Sequence, residues 1–379
     1  MGSISSQYRS QNPNMSQRND INCYRVYVSF CRKNCSSPNI NLSNWISCYY
    51  PSTNSWSTRV TSIPDLLENH VLKDFAMIVI GEAIFVIGGR QCYKDVIGSS
   101  ETNNAHEIDI EVVPSVLKYN VGTDSWTKCA PLRTPRFSFA CMASKDGKIY
   151  VAGGQTSLGG AMGTSLAEVY DPVLDEWKPL PSMSTMRYKC AGISWQGKFY
   201  VVGGFARRGN TDTHQGPYIM ERSSAEVYDP KRDTWNYIAR MWDLDVPPNQ
   251  IVNVDDKLFS SGDCLNAWKG HIESYDGKHN LWNIVDGSSS PISTLDDTEK
   301  NWPNLERMFC TMAPIGTKLY FLAGYRIMLG DNYISKTRTE VHVFETATSG
   351  NGWRSLIEPI EEQGEKELCS HSCVMKLNS

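Results

Sequence analysis

The sequence predicts an all-β fold: a propeller-like ring of six four-stranded blades, the last of them shared by the two ends of the chain. Three observations carry this. The first is a repeated phrase. Lys148-Ile149-Tyr150-Val151-Ala152-Gly153-Gly154, followed by Ala167-Glu168-Val169-Tyr170-Asp171-Pro172 and Trp177, returns as Lys198-Phe199-Tyr200-Val201-Val202-Gly203-Gly204, Ala225-Glu226-Val227-Tyr228-Asp229-Pro230 and Trp235. A period of about fifty residues is the mark of a stacked-repeat architecture. The second is three weaker copies, opening at Ala83, Lys257 and Lys318 and reaching Trp126, Trp282 and Trp353; Asp263 and Ala323 each replace one glycine of the pair. The third is that the chain ends complement each other. Trp45–Pro51 with Trp56 reads as the second half of a unit, Tyr24–Val28 as its middle strand and Cys369–Leu377 as its first strand. Joined, they complete the ring and leave no open sheet edge at the seam.

Each element of the repeat has a physical reason. The apolar run before the diglycine is a buried central strand. The glycines end it where the backbone turns sharply or approaches a neighbour. Glu-Val-Tyr-Asp-Pro alternates as a strand does and then turns at Asp-Pro. The Trp faces inward from the outer strand and fills the wedge between blades. Residues 21–379 are therefore expected to form one ring. Residues 1–20, with almost no apolar side chains, are expected to be disordered. The long insertions Gln91–Pro114, Thr156–Leu166 and Ala206–Ser224 read as loops on one face.

Composition narrows the function. The net charge is −4 and no Lys/Arg run occurs, so nucleic acid is not an expected partner. No stretch is long and apolar enough for a signal peptide or a membrane span, which gives the expectation of a cytoplasmic or nuclear protein without stable membrane insertion. Met1-Gly2-Ser3-Ile4-Ser5-Ser6 fits the N-myristoylation pattern and makes Gly2 a candidate lipid site, with a chance Gly-Ser start as the competing reading. The 12 cysteines read as small core residues in a reducing compartment, Cys141, Cys190, Cys310 and Cys373 falling in first strands. The spacing of Cys31/Cys35 and Cys369/Cys373 argues for neither zinc nor any other cofactor. No H-E-x-x-H, G-x-S-x-G or P-loop is present, so no catalytic residue is assigned.

The diglycine, Tyr and Trp standing in order resemble the kelch repeat, from about residue 23 to 377. The stretches Asn44–Tyr49, Pro51–Trp56 and Gly262–Glu273 look like plant F-box/kelch-repeat proteins, without the forty or so residues of helix that an F-box needs. That resemblance implies a non-catalytic receptor or adaptor that binds a protein. It places contacts just after each diglycine, at Arg90, Gln155, Phe205 and Tyr325, and at the first-strand openings, at Arg136, Arg187, Lys189 and Arg307. Guanidinium groups with aromatics around a funnel suit a partner segment carrying carboxylates. Asp245-Val246-Pro247-Pro248 replaces the Arg in the fourth blade, so the funnel is expected to be asymmetric. The alternative is an enzyme or small-molecule-binding propeller with a site in the central channel, such as one in plant specialised metabolism. The Glu-x-x-x-Asp-x-x-x-His run of the iron-dependent kelch lyases is absent.

Overall fold

The computed structural model describes residues 21–33, 43–95, 106–160, 162–208, 219–262, 272–285, 304–328, 336–347, 352–355, 360–363 and 365–377. The segment expected to be disordered, with Gly2, lies outside them. Six antiparallel sheets make up the frame, five of them four-stranded and one, blade 5, carrying Ile360–Gln363 as a fifth strand. From inner to outer strand, blade 1 is Ala76–Ile80, Ala83–Ile87, Val116–Asn120 and Ser125–Cys129. Blade 2 is Ala140–Ala143, Ile149–Ala152, Ala167–Asp171 and Glu176–Leu180. Blade 3 is Ala191–Trp195, Lys198–Val202, Ala225–Asp229 and Thr234–Ile238. Blade 4 is Ile251–Val254, Lys257–Ser260, Glu273–Asp276 and Leu281–Ile284. Blade 5 is Asn304–Ile315, Lys318–Met328, Lys336–Glu345 and Trp353–Ser355. In blade 6 the chain ends meet: Lys366–Lys376 pairs with Tyr24–Arg32, followed by Trp45–Tyr50 and Ser55–Ser62. The first strands adjoin one another in cyclic order, blade 6 touching both blade 5 and blade 1.

One local device recurs. In five blades the repeat tyrosine donates its hydroxyl to an Asp or Asn five residues later: Tyr49 to Asn54, Tyr119 to Asp124, Tyr170 to Asp175, Tyr228 to Asp233 and Tyr275 to Asn280, at 2.6–2.9 Å. Each acceptor sits in the left-handed region, φ 48–55°, which Asp and Asn tolerate better than other side chains. The bond thus fixes the hairpin that carries the Trp back onto the tyrosine ring, with centroids 5.0–5.3 Å apart. The Trp then clasps the preceding blade. Trp126 Nε1 donates to Thr61 Oγ1, and Trp177, Trp235 and Trp282 donate to the carbonyls of Ala130, Pro181 and Met241, at 2.6–2.9 Å.

The diglycine makes the other contact between blades. Gly89 and Gly154 donate N–H to the carbonyls of Arg136 and Arg187 on the next blade, both at 2.9 Å. A Cβ on Gly88 or Gly153 would stand 2.6 Å from those same oxygens, so no side chain fits.

The described parts of two insertions are strands rather than loops. After the diglycine the backbone continues the ladder of its own blade, because the strands leave it already paired. Arg90–Asp95 pairs with His70–Lys73 and His106–Val112, and Phe205–Arg208 pairs with Met186–Tyr188 and Ile219–Met220. Over Thr156–Leu166 the described β pairing is a single bridge, Thr164 to Arg187.

Gly153→Ala is expected to lose about 2–4 kcal/mol, because it adds a backbone clash to the left-handed strain. Gly81→Ala, with a similar φ of 57° and open space around it, should cost only about 1 kcal/mol. Denaturant melts of the two variants give the comparison.

Candidate partner-binding face

The residue after each diglycine pairs across the ladder with one residue of the first-strand opening. The equivalent pairs are Arg90 with Lys73, Gln155 with Phe137, Phe205 with Tyr188 and Tyr325 with Arg307. Of these Phe205 lines a cavity of about 660 Å³, together with Asp74, Ser138, Lys189 and Met308, which directly follow Lys73, Phe137, Tyr188 and Arg307, and with His371. The mouth keeps a backbone spiral: Ser138 donates N–H to Asp74 O and Lys189 to Ser138 O, at 2.9 and 2.7 Å. Asp74, Ser138 and Lys189 all have φ between 51 and 54°. For Ser and Lys this is a strained state, of order 1 kcal/mol or more each, and such strain collects at functional sites.

Arg136 and Arg187 must be corrected. Both are fully buried and contact no solvent-borne partner. Side chains alternate along a strand, so the residue before a mouth position points into the blade. Arg136 bonds the carbonyls of Gly153 and Leu166 at 2.8 and 2.9 Å and Glu168 at 2.6 Å. Arg187 bonds the carbonyls of Gly203 and Ser224 at 2.9 and 3.1 Å and faces Glu226 at 3.5 Å. Each Glu also accepts two backbone N–H groups from the segment entering the blade: Arg133 and Thr134 for Glu168, Ser184 and Thr185 for Glu226. Burial pulls both guanidinium pKa values down and the carboxylates push back. These arginines hold the diglycine carbonyls; the repeat glutamate is their partner.

The other expected residues divide. Gln155 is nearly buried and donates to the carbonyl of Gly160. Tyr325 is 6% exposed, its hydroxyl pKa raised by burial and Glu340; it sits in register between Arg307 and Arg338. Arg90 is half-buried in ion pairs with Asp74, Asp109 and Glu107. Those leave Lys189, which is exposed, and the half-buried Phe205 and Arg307. Phe205 stacks on Tyr188 at 5.1 Å, with the Arg222 guanidinium 5.2 Å from its ring. Tyr188, Arg222 and Arg338 were missed; Tyr188 was legible as the ladder partner of Phe205. In blade 4, Asp245 is exposed and faces Arg222 at 3.6 Å. His371 lines the cavity; desolvation takes its pKa down to about 4, against a smaller opposing pull from the Asn249 backbone, and leaves it neutral at pH 7.

At the seam, Lys94 of the accessory strand Arg90–Asp95 is 2% exposed. It bonds the Arg32 carbonyl at 2.5 Å and pairs with Glu367, which also meets Lys73 at 2.9 Å. Cys92, Glu107 and Asp109 cluster closely enough to suggest metal ligands. Arg90 and Lys73, however, already occupy the cation positions of that cluster.

The Kelch motif family matches residues 136–184 and 186–241. An F-box/kelch-repeat protein of Arabidopsis thaliana is 29% identical over 270 residues, 69% of this chain and 57% of that one. Kelch repeat and BTB domain-containing protein 12 of Danio rerio is 27% identical over 227 residues, 56% of this chain and 34% of its own. Kelch-like protein 23 of Homo sapiens is 26% identical over 163 residues, 43% of this chain and 24% of its own. The alignments thus span between about a quarter and three-fifths of the relatives' lengths. Fold and repeats together define an all-β propeller. The chain carries Kelch motifs over residues 136–184 and 186–241, and its repeats are similar to those of plant F-box/kelch-repeat proteins. Among the described residues no helix is long and apolar enough to cross a membrane.

Two predictions follow from these contacts. Glu226→Ala strands the Arg187 charge in the blade and is expected to destabilise by about 3–5 kcal/mol, read as a loss of urea midpoint. At Glu367, burial alone would raise the pKa; Lys94 and Lys73 outweigh it and hold the carboxyl below its ordinary value. A depressed folded pKa gives stability that is present above the unfolded pKa and lost as pH falls through the folded one. Glu367→Gln should therefore be less stable than the parent at pH 7, with the gap closing below pH ~4, measured as Tm against pH.

Proposed function

We propose that the chain is a non-catalytic interaction propeller that holds a partner protein segment across its mouth, the segment carrying carboxylates. One observation carries the reading: the equivalent mouth positions hold different side chains in each blade, while the structural positions repeat. In blade 3 an exposed Lys189 stands beside a stacked aromatic pair, and in blade 5 Arg307 and Arg338 flank Tyr325. An exposed ammonium and guanidinium groups bind carboxylates through charge-assisted hydrogen bonds, while Tyr188 and Phe205 offer flat apolar area to the chain between them. The names of the relatives, kelch proteins joined to F-box or BTB domains, support the same reading.

Selection of about twelve-residue peptides on the purified chain should enrich Asp and Glu next to an aromatic or aliphatic residue. Lys189→Ala and Arg307→Ala should each weaken the selected peptide roughly ten- to hundredfold, the range for a charged hydrogen bond, and added salt should weaken it further. No enrichment, or binding indifferent to both variants and to salt, would overturn the proposal.

A further inference from the structure

The seam that closes the ring is rich in thiols. Cys31, Cys48, Cys92, Cys369 and Cys373 pack in one buried cluster, and all are free thiols. Three of them, Cys31, Cys369 and Cys373, lie on the terminal strands where these pair. Cys31 is opposite Glu367, and the ladder then shifts register, Phe30 pairing with Leu368 and Ser29 with Ser370, so Cys369 is the extra residue of a bulge. The Cys31 sulfur lies 3.2 Å from the Glu367 carboxylate, so its side chain shares a face with Glu367, and with Cys369 two residues further on. The Cys369 thiol donates to the Glu367 carbonyl at 3.8 Å, so both thiols gather at Glu367. Diagonal neighbours across an antiparallel pair are close enough for a disulfide once a bulge draws them together.

We propose that Cys31 and Cys369 form a modification site at which peroxide makes a disulfide, joining the two ends of the chain and locking the ring. Cys369 lines the channel cavity, so a molecule as small as hydrogen peroxide reaches it. Its thiolate attacks one peroxide oxygen; the S–O bond forms, the O–O bond breaks, and hydroxide leaves to take up the thiol proton as water. The sulfur is oxidised by two electrons to a sulfenic acid. Cys31 then attacks that sulfur, the S–S bond forms, and the sulfenic oxygen leaves with the second thiol proton as water. The Lys94 ammonium, 3.6 Å from the Cys31 sulfur, offsets the charge of the attacking thiolate. Burial holds the Cys369 pKa well above its ordinary value, so the first step is slow at neutral pH and answers sustained oxidant rather than a brief pulse.

The product cross-links nearly the whole chain, and a loop that long gives a disulfide its largest effect on the unfolded state. The test is non-reducing peptide mapping of the folded full-length chain after hydrogen peroxide. The expected product is a Cys31–Cys369 cross-linked peptide, two hydrogens lighter than its reduced parts. With it, Tm should rise by about 5 °C or more, reversed by dithiothreitol. Cys369→Ala should abolish both, whereas Cys92→Ala should leave both. If Cys369→Ala does not fold, the mapping of the parent chain decides alone. A disulfide to another cysteine, isolated sulfinic acid at Cys369, or a cross-link that forms only in denaturant would each overturn the proposal.

Discussion

The ring depends on one close approach: the diglycine of a blade against the first-strand backbone of the next. The glycine N–H groups reach the Arg136 and Arg187 carbonyls only because no Cβ intervenes. The side chains of those arginines, in turn, hold the diglycine carbonyls of their own blades. Each arginine is therefore a hinge pin, its carbonyl facing the blade before it and its guanidinium the blade it starts. Carbonyls and the paired glutamate take up most of the guanidinium donors, the Arg187 Nε excepted, which is what makes burying the charge tolerable.

The device fades around the ring and other groups replace it. A Cβ on Gly203 would meet the Pro248 ring instead of an arginine carbonyl, and one on Gly262 would meet nothing within 4 Å. From blade 4 onward the inner strands are tied by side chains. Gln250 brackets Met312, accepting from its N–H and donating to its carbonyl, at 2.8 and 2.9 Å. Thr311 and Ser372 bond each other at 3.0 Å. At the seam, where no diglycine exists, Lys94 and Lys73 grip the terminal strand through Glu367. Inter-blade contact is thus kept all round, by backbone where the repeat is strong and by side chains where it has drifted.

The repeat made the fold legible, because Tyr, Asp/Asn and Trp act locally and at fixed spacing. The two halves of the seam could be assigned for the same reason: Trp45–Tyr50 carries the tyrosine and Cys369–Leu377 the strand pattern. The site was less legible. Mouth residues were counted from the arginine, whereas alternation has to be counted from the glycines, and the one-residue offset sends Arg136 and Arg187 inside. A signal was present in the sequence. Blades 2 and 3 carry Arg with Glu at the paired positions, while blade 1 has Leu72 and Leu117 at both, packed in one apolar cluster. Charges that appear and vanish together point to a buried pair. The charged network of Lys73, Lys94, Arg90 and Glu367 joins strands from opposite ends of the chain, and no local spacing reveals that.

The division of labour between a repeated frame and an unrepeated mouth is tested most directly by amide hydrogen exchange on the full chain, with and without a selected acidic peptide. Bound peptide should slow exchange across Met186–Arg208 and Asn304–Met328, leaving the outer strands Glu176–Leu180 and Thr234–Ile238 unchanged. Protection gathered on those outer strands, with the mouth unaffected, would contradict the account.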